Sequence, residues 1–378
     1  MHDFLLKDIS TNNVEKELTE IGFDSSYIYK AKEKFEYKNI KIFNLNCAQA
    51  NILKQTALSV GADCATHREI ITGKIENSNA ILTGNISQLQ KIAQKLEYQP
   101  FGLKILGKEI LNTVRTPKTT TKIMGILNIT PDSFSDGGKY YDTECAIKHL
   151  HELINDGADI IDIGAESTRP GAKEVSADEQ LKHILPVLEY INHNKIKTTI
   201  SIDTRSAKVA SECIKLGANI INDVSGLDFD PKMIDVLHNN PEIKIIIQHS
   251  KGLPENMQNN TQYTNLIDEI YIKLKEKIDF ALSKGIKKEN IIIDPGIGFG
   301  KTIEQNFEIL SRWQEFKTLG CPILIGVSRK SLLNMPQASN EEKDLYTLAI
   351  NSPLIIEGID YIRVHNVKIH KNYINMIQ

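Results

Sequence analysis

The stretch Ile123–Ile163, IMGILNITPDSFSDGGKYYDTECAIKHLHELINDGADIIDI, decides the fold. It opens on an apolar run, Ile123–Ile129, and crosses a turn-rich segment punctuated by Pro131-Asp132-Ser133 and Asp136-Gly137-Gly138. It then takes up helical spacing over Thr143–Asp156 and ends in a second apolar run, Ile160–Ile163. Short runs without polar alternation read as strands covered on both faces, as in parallel sheets. The same unit recurs to the end of the chain. Further apolar runs lie at Thr199–Ile202, Ile220–Ile221, Ile243–Ile247, Ile291–Ile293, Ile323–Val327 and Tyr361–Val364. Helix-period segments fill the gaps at Ala177–Ile191, Ala207–Leu216, Pro231–Asn239, Leu266–Lys284, Glu304–Leu319 and Leu345–Glu357, with a last one after Val367. Strict alternation of eight strands and eight helices implies parallel strands joined by helical crossovers. Residues 122–378 have the length of a closed (β/α)8 TIM barrel, about 250 residues, so the expected class is α/β. The alternative, an open doubly wound sheet, usually has fewer strands.

Toward the N-terminus, residues 112–121 (NTVRTPKTTT) are rich in Thr, hold a proline and lack apolar periodicity, so they read as a linker. Residues 1–111 form a smaller α/β or α+β domain, with strands at Ile42–Leu45 and Ala80–Leu82 and helices at Asn51–Val60 and Ile86–Leu96. This domain shows no cluster of ionisable residues and is expected to be dispensable for chemistry. The chain balances 45 basic against 48 acidic residues, a net charge of −3, so no global field draws in nucleic acid. No apolar run approaches the roughly 18 residues that a membrane span needs. The first ten residues, MHDFLLKDIS, carry an acid and a polar break where a secretory signal needs a basic start and an apolar core. The expected location is therefore cytoplasmic. Cys47, Cys64, Cys145, Cys213 and Cys321 lie at least 17 residues apart, which excludes a C-x-x-C site and favours reduced, buried thiols.

A barrel of this kind carries its function at the C-terminal ends of the strands, where the loops that follow them form one open face. Those ends hold Asn128, Glu166, Asp203, Asn222 with Asp223, Gln248 with His249, Asp294, Arg329 with Lys330, and Arg363 with His365. Any single strand-end Asp reads equally well as an N-cap for the next helix. Asp203, Asn222 and Asp294 converging on one mouth suit a flat heterocycle, because an aminopyrimidinone edge offers two parallel N–H groups to a carboxylate as Arg does. Phe299, set among small residues, is placed to stack on such a ring. Arg363 and His365 are alternate residues of one strand and share a face. Opposite Asn128 on the neighbouring first strand they suit a diphosphate with Mg2+, and Lys330 and Ser331 add a cation and a hydroxyl. Only seven of the 45 basic residues are Arg. One of them, Arg169, stands between Thr168 and Pro170 on the loop after the second strand. The loop after the first strand, carrying Phe134 and Asp136, is near 14 residues long. That exceeds the usual roughly 2–6 and reads as a Gly-hinged lid. The segment Asp294–Thr302, DPGIGFGKT, nearly matches the phosphate-binding G-x-x-x-x-G-K-[ST]. It fails at the first Gly, which is Pro295, and Asp294 beside it repels phosphate, so a nucleotide-hydrolysing reading is set aside.

Seven motifs in order, ILNITPDSFSDGG, AESTRPGA, SIDT, INDVSG, DPGIGFGK, SRKS and RVHNV, resemble dihydropteroate synthase over residues 122–378. The resemblance implies condensation of 6-hydroxymethyl-7,8-dihydropterin diphosphate with 4-aminobenzoate to 7,8-dihydropteroate and diphosphate, in folate biosynthesis. It implies a pterin set of Asp203, Asn222, Asp294 and Lys330, with Phe299 alongside. Asn128, Arg363 and His365 resemble the diphosphate and Mg2+ set, helped by Arg169 and Ser331, with Asn128 and Asp136 on the metal. Thr168, Pro170, Phe134 and Ser331 resemble the aminobenzoate wall. Asp136, Lys330 and Asn128 are the residues expected to take part in the chemistry. A homodimer and sensitivity to sulfonamides are further expectations of this kind. Two departures appear: Gln248 stands where the family has Met, replacing an apolar wall by an amide, and Asn366 where Asp is usual. The stretch Ala50–Ala62 is similar to an N-terminal extension of some bacterial members. A pterin-dependent methyltransferase would have no use for the TPDSF and STRP loops. A catalytically dead pterin-binding protein would be expected to lack Asn128, Asp136, Lys330 or Arg363.

Overall fold

A computed structural model of the chain describes residues 5–114, 119–129, 139–166, 174–251, 261–333 and 335–377. It divides into two compact units, Met1–Pro117 and Lys118–Gln378.

The N-terminal unit runs α1 (Val14–Glu20), α2 (Ile28–Lys32), β1 (Tyr37–Asn46), α3 (Cys47–Leu58), β2 (Asp63–Thr66), β3 (Asn77–Asn85), α4 (Ile86–Leu96) and α5 (Leu103–Val114). Its sheet has the order β1-β3-β2, and β3 pairs antiparallel with both neighbours, which makes the unit α+β. Two strands pass into helices without a loop. Asn46 and Asn85 cap α3 and α4, each in a reciprocal capping box with the Gln three residues on. The helices then cover one face of the sheet with Leu53, Leu89, Ile92 and Leu96. Four elements are absent from the sequence reading, α1, α2, β2 and α5. β2, Asp-Cys-Ala-Thr, has little β propensity of its own. α5 continues to Val114, so residues 112–114 are helix rather than linker.

The second unit is the barrel. Its strands are β4 (Lys122–Asn128), β5 (Ile160–Gly164), β6 (Thr199–Asp203), β7 (Ile220–Asp223), β8 (Lys244–Gln248), β9 (Ile291–Asp294), β10 (Leu324–Ile325) and β11 (Tyr361–Val364). Its helices are α6 (Lys139–Asn155), α7 (Ala177–His193), α8 (Ala207–Lys215), α9 (Met233–His238), α10 (Leu266–Ser283), α11 (Ile303–Arg312), α12 (Asn340–Ile356) and α13 (Val367–Ile377). The strands lie in the order β10-β11-β4-β5-β6-β7-β8-β9, all parallel. A parallel bridge between Ile293 and Ile323 closes the ring. β10 is shorter than the expected Ile323–Val327 run. The expected helix Glu304–Leu319 is split into α11 and a 3-10 stretch, Trp313–Leu319.

Period-two alternation sorts the strand residues. Ile123, Ile161, Ile163, Ile200, Ile202, Ile245, Ile247, Ile291 and Ile362 face outward into one core shared with the helices. Met124, Ile160, Ile220, Ile246, Ile292, Leu324 and Tyr361 face inward and plug the N-terminal end of the lumen. The chain's one tryptophan, Trp313, is fully buried in the helical shell, and its indole N–H donates to Glu357 at 2.8 Å. Trp313 fluorescence therefore reports barrel unfolding. Replacing the fully buried Ile202 by Ala should lower the barrel's unfolding free energy in urea by about 2–5 kcal/mol. A loss below about 0.5 kcal/mol, within the range of surface substitutions, would contradict the packing described.

Candidate functional site

One layer above the apolar plug the inward positions turn polar. Asp162 on β5, Ser201 and Asp203 on β6, Asn222 on β7, Gln248 on β8 and Asp294 on β9 are all buried, and Arg363 on β11 faces them. Arg363 spans the lumen. Its Nε donates to Asp162 at 2.6 Å and its Nη2 to Asp203 at 2.7 Å. The second carboxylate contact and the first lie on adjacent strands, so one guanidinium bridges two of them. Asn222 donates through Nδ2 to the same Asp162 oxygen at 3.0 Å, which leaves its carbonyl oxygen as the acceptor it offers elsewhere. Asp162 Oδ1 and Ser201 Oγ have no hydrogen-bond partner among the described residues.

The neighbouring wall is built by the loop after β9. Asp294 accepts the amide of Gly296 at 2.7 Å. Phe299 packs on Val224, and the Lys330 ammonium lies 4.7 Å from its ring centroid while donating to the Ile297 carbonyl at 2.6 Å. Lys301, at the end of the same loop, is buried and donates to Gly296 and Phe299 carbonyls. The layer thus sets Asp162, Asp203 and Asp294 against Arg363, Lys330 and Lys301.

Burial dominates the titration of these groups, because it penalises each charged form. It pushes Asp203 up to about 7 against the pull of Arg363, and raises Asp294 against the pull of Lys330. It pulls Lys330 down to about 8 and Lys301 to about 7, with Asp294 opposing in both cases. Burial also works against the Arg363 charge, but Asp162 and Asp203 outweigh it and raise its pKa. His249 is held well below its usual range by burial and by Lys301, so it is neutral.

Asp203, Asn222, Asp294, Lys330 and Phe299 therefore come together as expected from their strand ends. Arg363, expected with the diphosphate set, bonds Asp162 and Asp203 on the floor of the mouth. Its expected partner His365 is engaged at the rim, Nδ1 lying 2.9 Å from Ser328 Oγ, and Asn128 ends β4 half-buried. Asp136, Phe134, Thr168, Arg169 and Pro170, and the side chain of Ser331, lie outside the described residues. Other strand-end groups serve the scaffold. Glu166 forms a buried two-point ion pair with Arg205, and Arg329 pairs with Asp344 of α12. Asp223 accepts the amides of Ser225 and Leu227 in its own loop. Gln248 spends its amide on the Val224 carbonyl at 3.2 Å, and Asn366 keeps a hydrogen bond to Asp344 at 3.2 Å. Sequence reasoning missed Asp162. The signal was a lone carboxylate inside an apolar run, at the same parity as Ile160, which faces the lumen.

Residues 124–365 match the family described as pterin binding enzyme. The chain is 45% identical over 251 residues to the dihydropteroate synthase of Clostridium beijerinckii, covering 65% of this chain and 89% of that protein. It is 35% identical over 344 residues to a probable bifunctional folylpolyglutamate synthase/dihydropteroate synthase of Haloferax volcanii, over 84% of this chain. The chain spans 40% of the length of that relative, and the match reaches beyond the barrel into the N-terminal unit. A crystal structure of dihydropteroate synthase from Clostridium difficile in the presence of pteroic acid superposes with a TM-score of 0.63 at 41% identity, over 68% of this chain and 95% of that one.

Replacing Asp162 by Asn removes one of the two carboxylates that hold the buried Arg363 charge. Breaking such a pair costs about 3–5 kcal/mol. Urea unfolding followed by Trp313 fluorescence should show a loss in that range. An unchanged midpoint would mean that Arg363 is not committed to the floor.

Proposed function

The chain belongs to the dihydropteroate synthase family of pterin-binding enzymes, and on that premise we propose how its barrel mouth joins 6-hydroxymethyl-7,8-dihydropterin diphosphate to 4-aminobenzoate. The chain is a transferase of folate biosynthesis, and its products are 7,8-dihydropteroate and diphosphate. The observation that carries the site reading is the convergence of Asp294 on β9, Asn222 on β7 and Lys330 from the turn after β10, beside the apolar wall of Phe299 and Val224.

Asp294 is the carboxylate of the layer not bonded to Arg363, and it takes the two parallel N–H groups of the aminopyrimidinone edge. Asn222, its amide nitrogen spent on Asp162, presents its carbonyl oxygen to a ring N–H. Lys330, close over Phe299, donates to a ring acceptor and brings a positive charge to that side. Arg363 lies beneath, its charge already compensated. The diphosphate extends toward the rim, where Asn128 and His365 stand, with Arg169 and Ser331 as further expected donors.

No three His, Cys, Asp or Glu side chains cluster as a metal site among the described residues. This fits Mg2+, a hard cation that keeps its waters and is held by one or two protein oxygens plus substrate phosphate. Asn128 and Asp136 would hold it, and when bound it neutralises charge on the departing diphosphate. The C–O bond to the methylene breaks, and the pterin ring spreads the positive charge left behind. The arylamine nitrogen then forms the C–N bond and releases a proton. It is neutral near pH 7, so no strong base is required. Preplaced cations lower the barrier because they meet charge only as it develops on the leaving group. The expected homodimer, the cytoplasmic location and inhibition by sulfonamides complete this reading. No described helix is long and apolar enough to cross a membrane.

The test is diphosphate release from the pterin diphosphate with Mg2+, with and without 4-aminobenzoate. Release coupled one-to-one with dihydropteroate supports the reading, and release of equal rate without the arylamine would make the chain a hydrolase. The pH profile of kcat/KM for the pterin substrate follows from the buried charges. Asp203 must lose its proton, so activity rises through about 7, and Lys330 must keep its charge, so activity falls through about 8. A bell with its maximum between these values is expected, and a flat profile across both would contradict the roles given to the two residues.

A further inference from the structure

The DPGIGFGKT segment carries as its penultimate residue a lysine that, by its resemblance to a phosphate loop, ought to reach outward for an anion. It does the opposite. Lys301 is 3% exposed and folds back under its own loop. Its ammonium lies 2.8 Å from the Gly296 carbonyl, 3.0 Å from the Phe299 carbonyl and 3.1 Å from His249 Nδ1. An ammonium has three donors, and here each has an acceptor, two from the loop and one from the residue that follows β8. His249 is neutral, so Nδ1 accepts and the ring proton sits on Nε2.

The loop needs such a strut. Gly296, Gly298 and Gly300 all have positive φ, +74°, +83° and +63°, a backbone that forms no ladder of its own. It is also pressed against β8: a Cβ on Gly296 would lie 1.9 Å from the His249 carbonyl oxygen. Asp294 stands at the start of this loop and Phe299 at its crest, and both are assigned above to the pterin.

We propose that Lys301 is a positioning residue for pterin recognition, a buried amine that fixes Asp294 and Phe299 by tying the loop's carbonyls to His249. It touches neither substrate. The proposal rests on the pterin reading of this mouth. The charged and titratable groups facing Lys301 are Asp294 from β9, Lys330 after β10, and His249 and Lys251 after β8. Of these only Asp294 favours the charged form of Lys301, and burial still pulls its pKa down to about 7.

Lys301→Met and Thr302→Ala are titrated against the full-length wild type, with pterin diphosphate as ligand and in turnover. Thr302 is the N-cap of α11 and its loss disturbs the same segment structurally without touching the strut. Lys301→Met should weaken pterin affinity and raise its KM by about tenfold or more, while the KM for 4-aminobenzoate at saturating pterin stays within about twofold. Thr302→Ala should leave both KM values near wild type. Equal pterin affinity in Lys301→Met and wild type overturns the proposal, as does an equal loss in the Thr302 control, which would make the effect one of stability. If Lys301→Met does not fold, His249→Phe, which removes the strut's third partner, is titrated instead, and wild-type affinity there counts equally against the proposal. A wild-type enzyme that binds no pterin would instead overturn the functional reading.

Discussion

Arg363 bonded at once to Asp162 and Asp203 is the interaction on which the mouth of this barrel depends. Parallel strands force alternate side chains into the lumen, and at the C-terminal end of the lumen those side chains are carboxylates and amides. A buried carboxylate without a partner gives up its charge. One guanidinium shared by two strands bonds two of them and locks them in place. It also fixes Asn222 indirectly, because the Asp162 oxygen that Arg363 holds is the one to which the Asn222 amide donates. Asp294 is then the carboxylate left to meet a ligand, with Lys330 and Lys301 supplying compensating charge at a distance.

The rest of the mouth follows from where the polar groups of each loop are spent. Gln248 secures the loop after β7 through Val224. Lys277 of α10 donates to the Ser225 and Gly226 carbonyls of that loop and pairs with Asp228. Glu166 and Arg205 tie the end of β5 to the residues after β6, with the guanidinium stacked 4.0 Å over Phe229. The Glu166–Arg205 pair is buried and costly to desolvate, which argues for a role in holding geometry rather than in net stability.

The barrel was legible because its outward isoleucines form unbroken runs that only two-sided burial explains, and because helical spacing fills every gap between them. The buried strand-end groups Asp203, Asn222 and Asp294 were legible because each closes such a run. Asp162 was not, since it sits inside a run and its importance comes from a partner on β11 that no local pattern reveals. The same blindness hid the contacts of Arg363: its shared face with His365 follows from the strand, but the carboxylates it bonds lie on other strands. Lys301 was hidden by its likeness to a different motif. In the N-terminal unit β2 and α5 were missed because four residues of weak propensity, and a helix entered through Gly102 with a second glycine at Gly107, are held by packing rather than by local preference.

The central claim is that Asp294 is the carboxylate reserved for the pterin edge. Calorimetric titration of 6-hydroxymethyl-7,8-dihydropterin diphosphate into wild type and Asp294→Asn tests it most directly. The amide keeps one acceptor but turns a donor toward a ring N–H, leaving two buried donors unpaired at about 1–3 kcal/mol each. Affinity should fall by at least about thirtyfold, with the folded barrel intact by Trp313 fluorescence. Affinity within about threefold of wild type would contradict the claim and return the pterin to another face of the mouth.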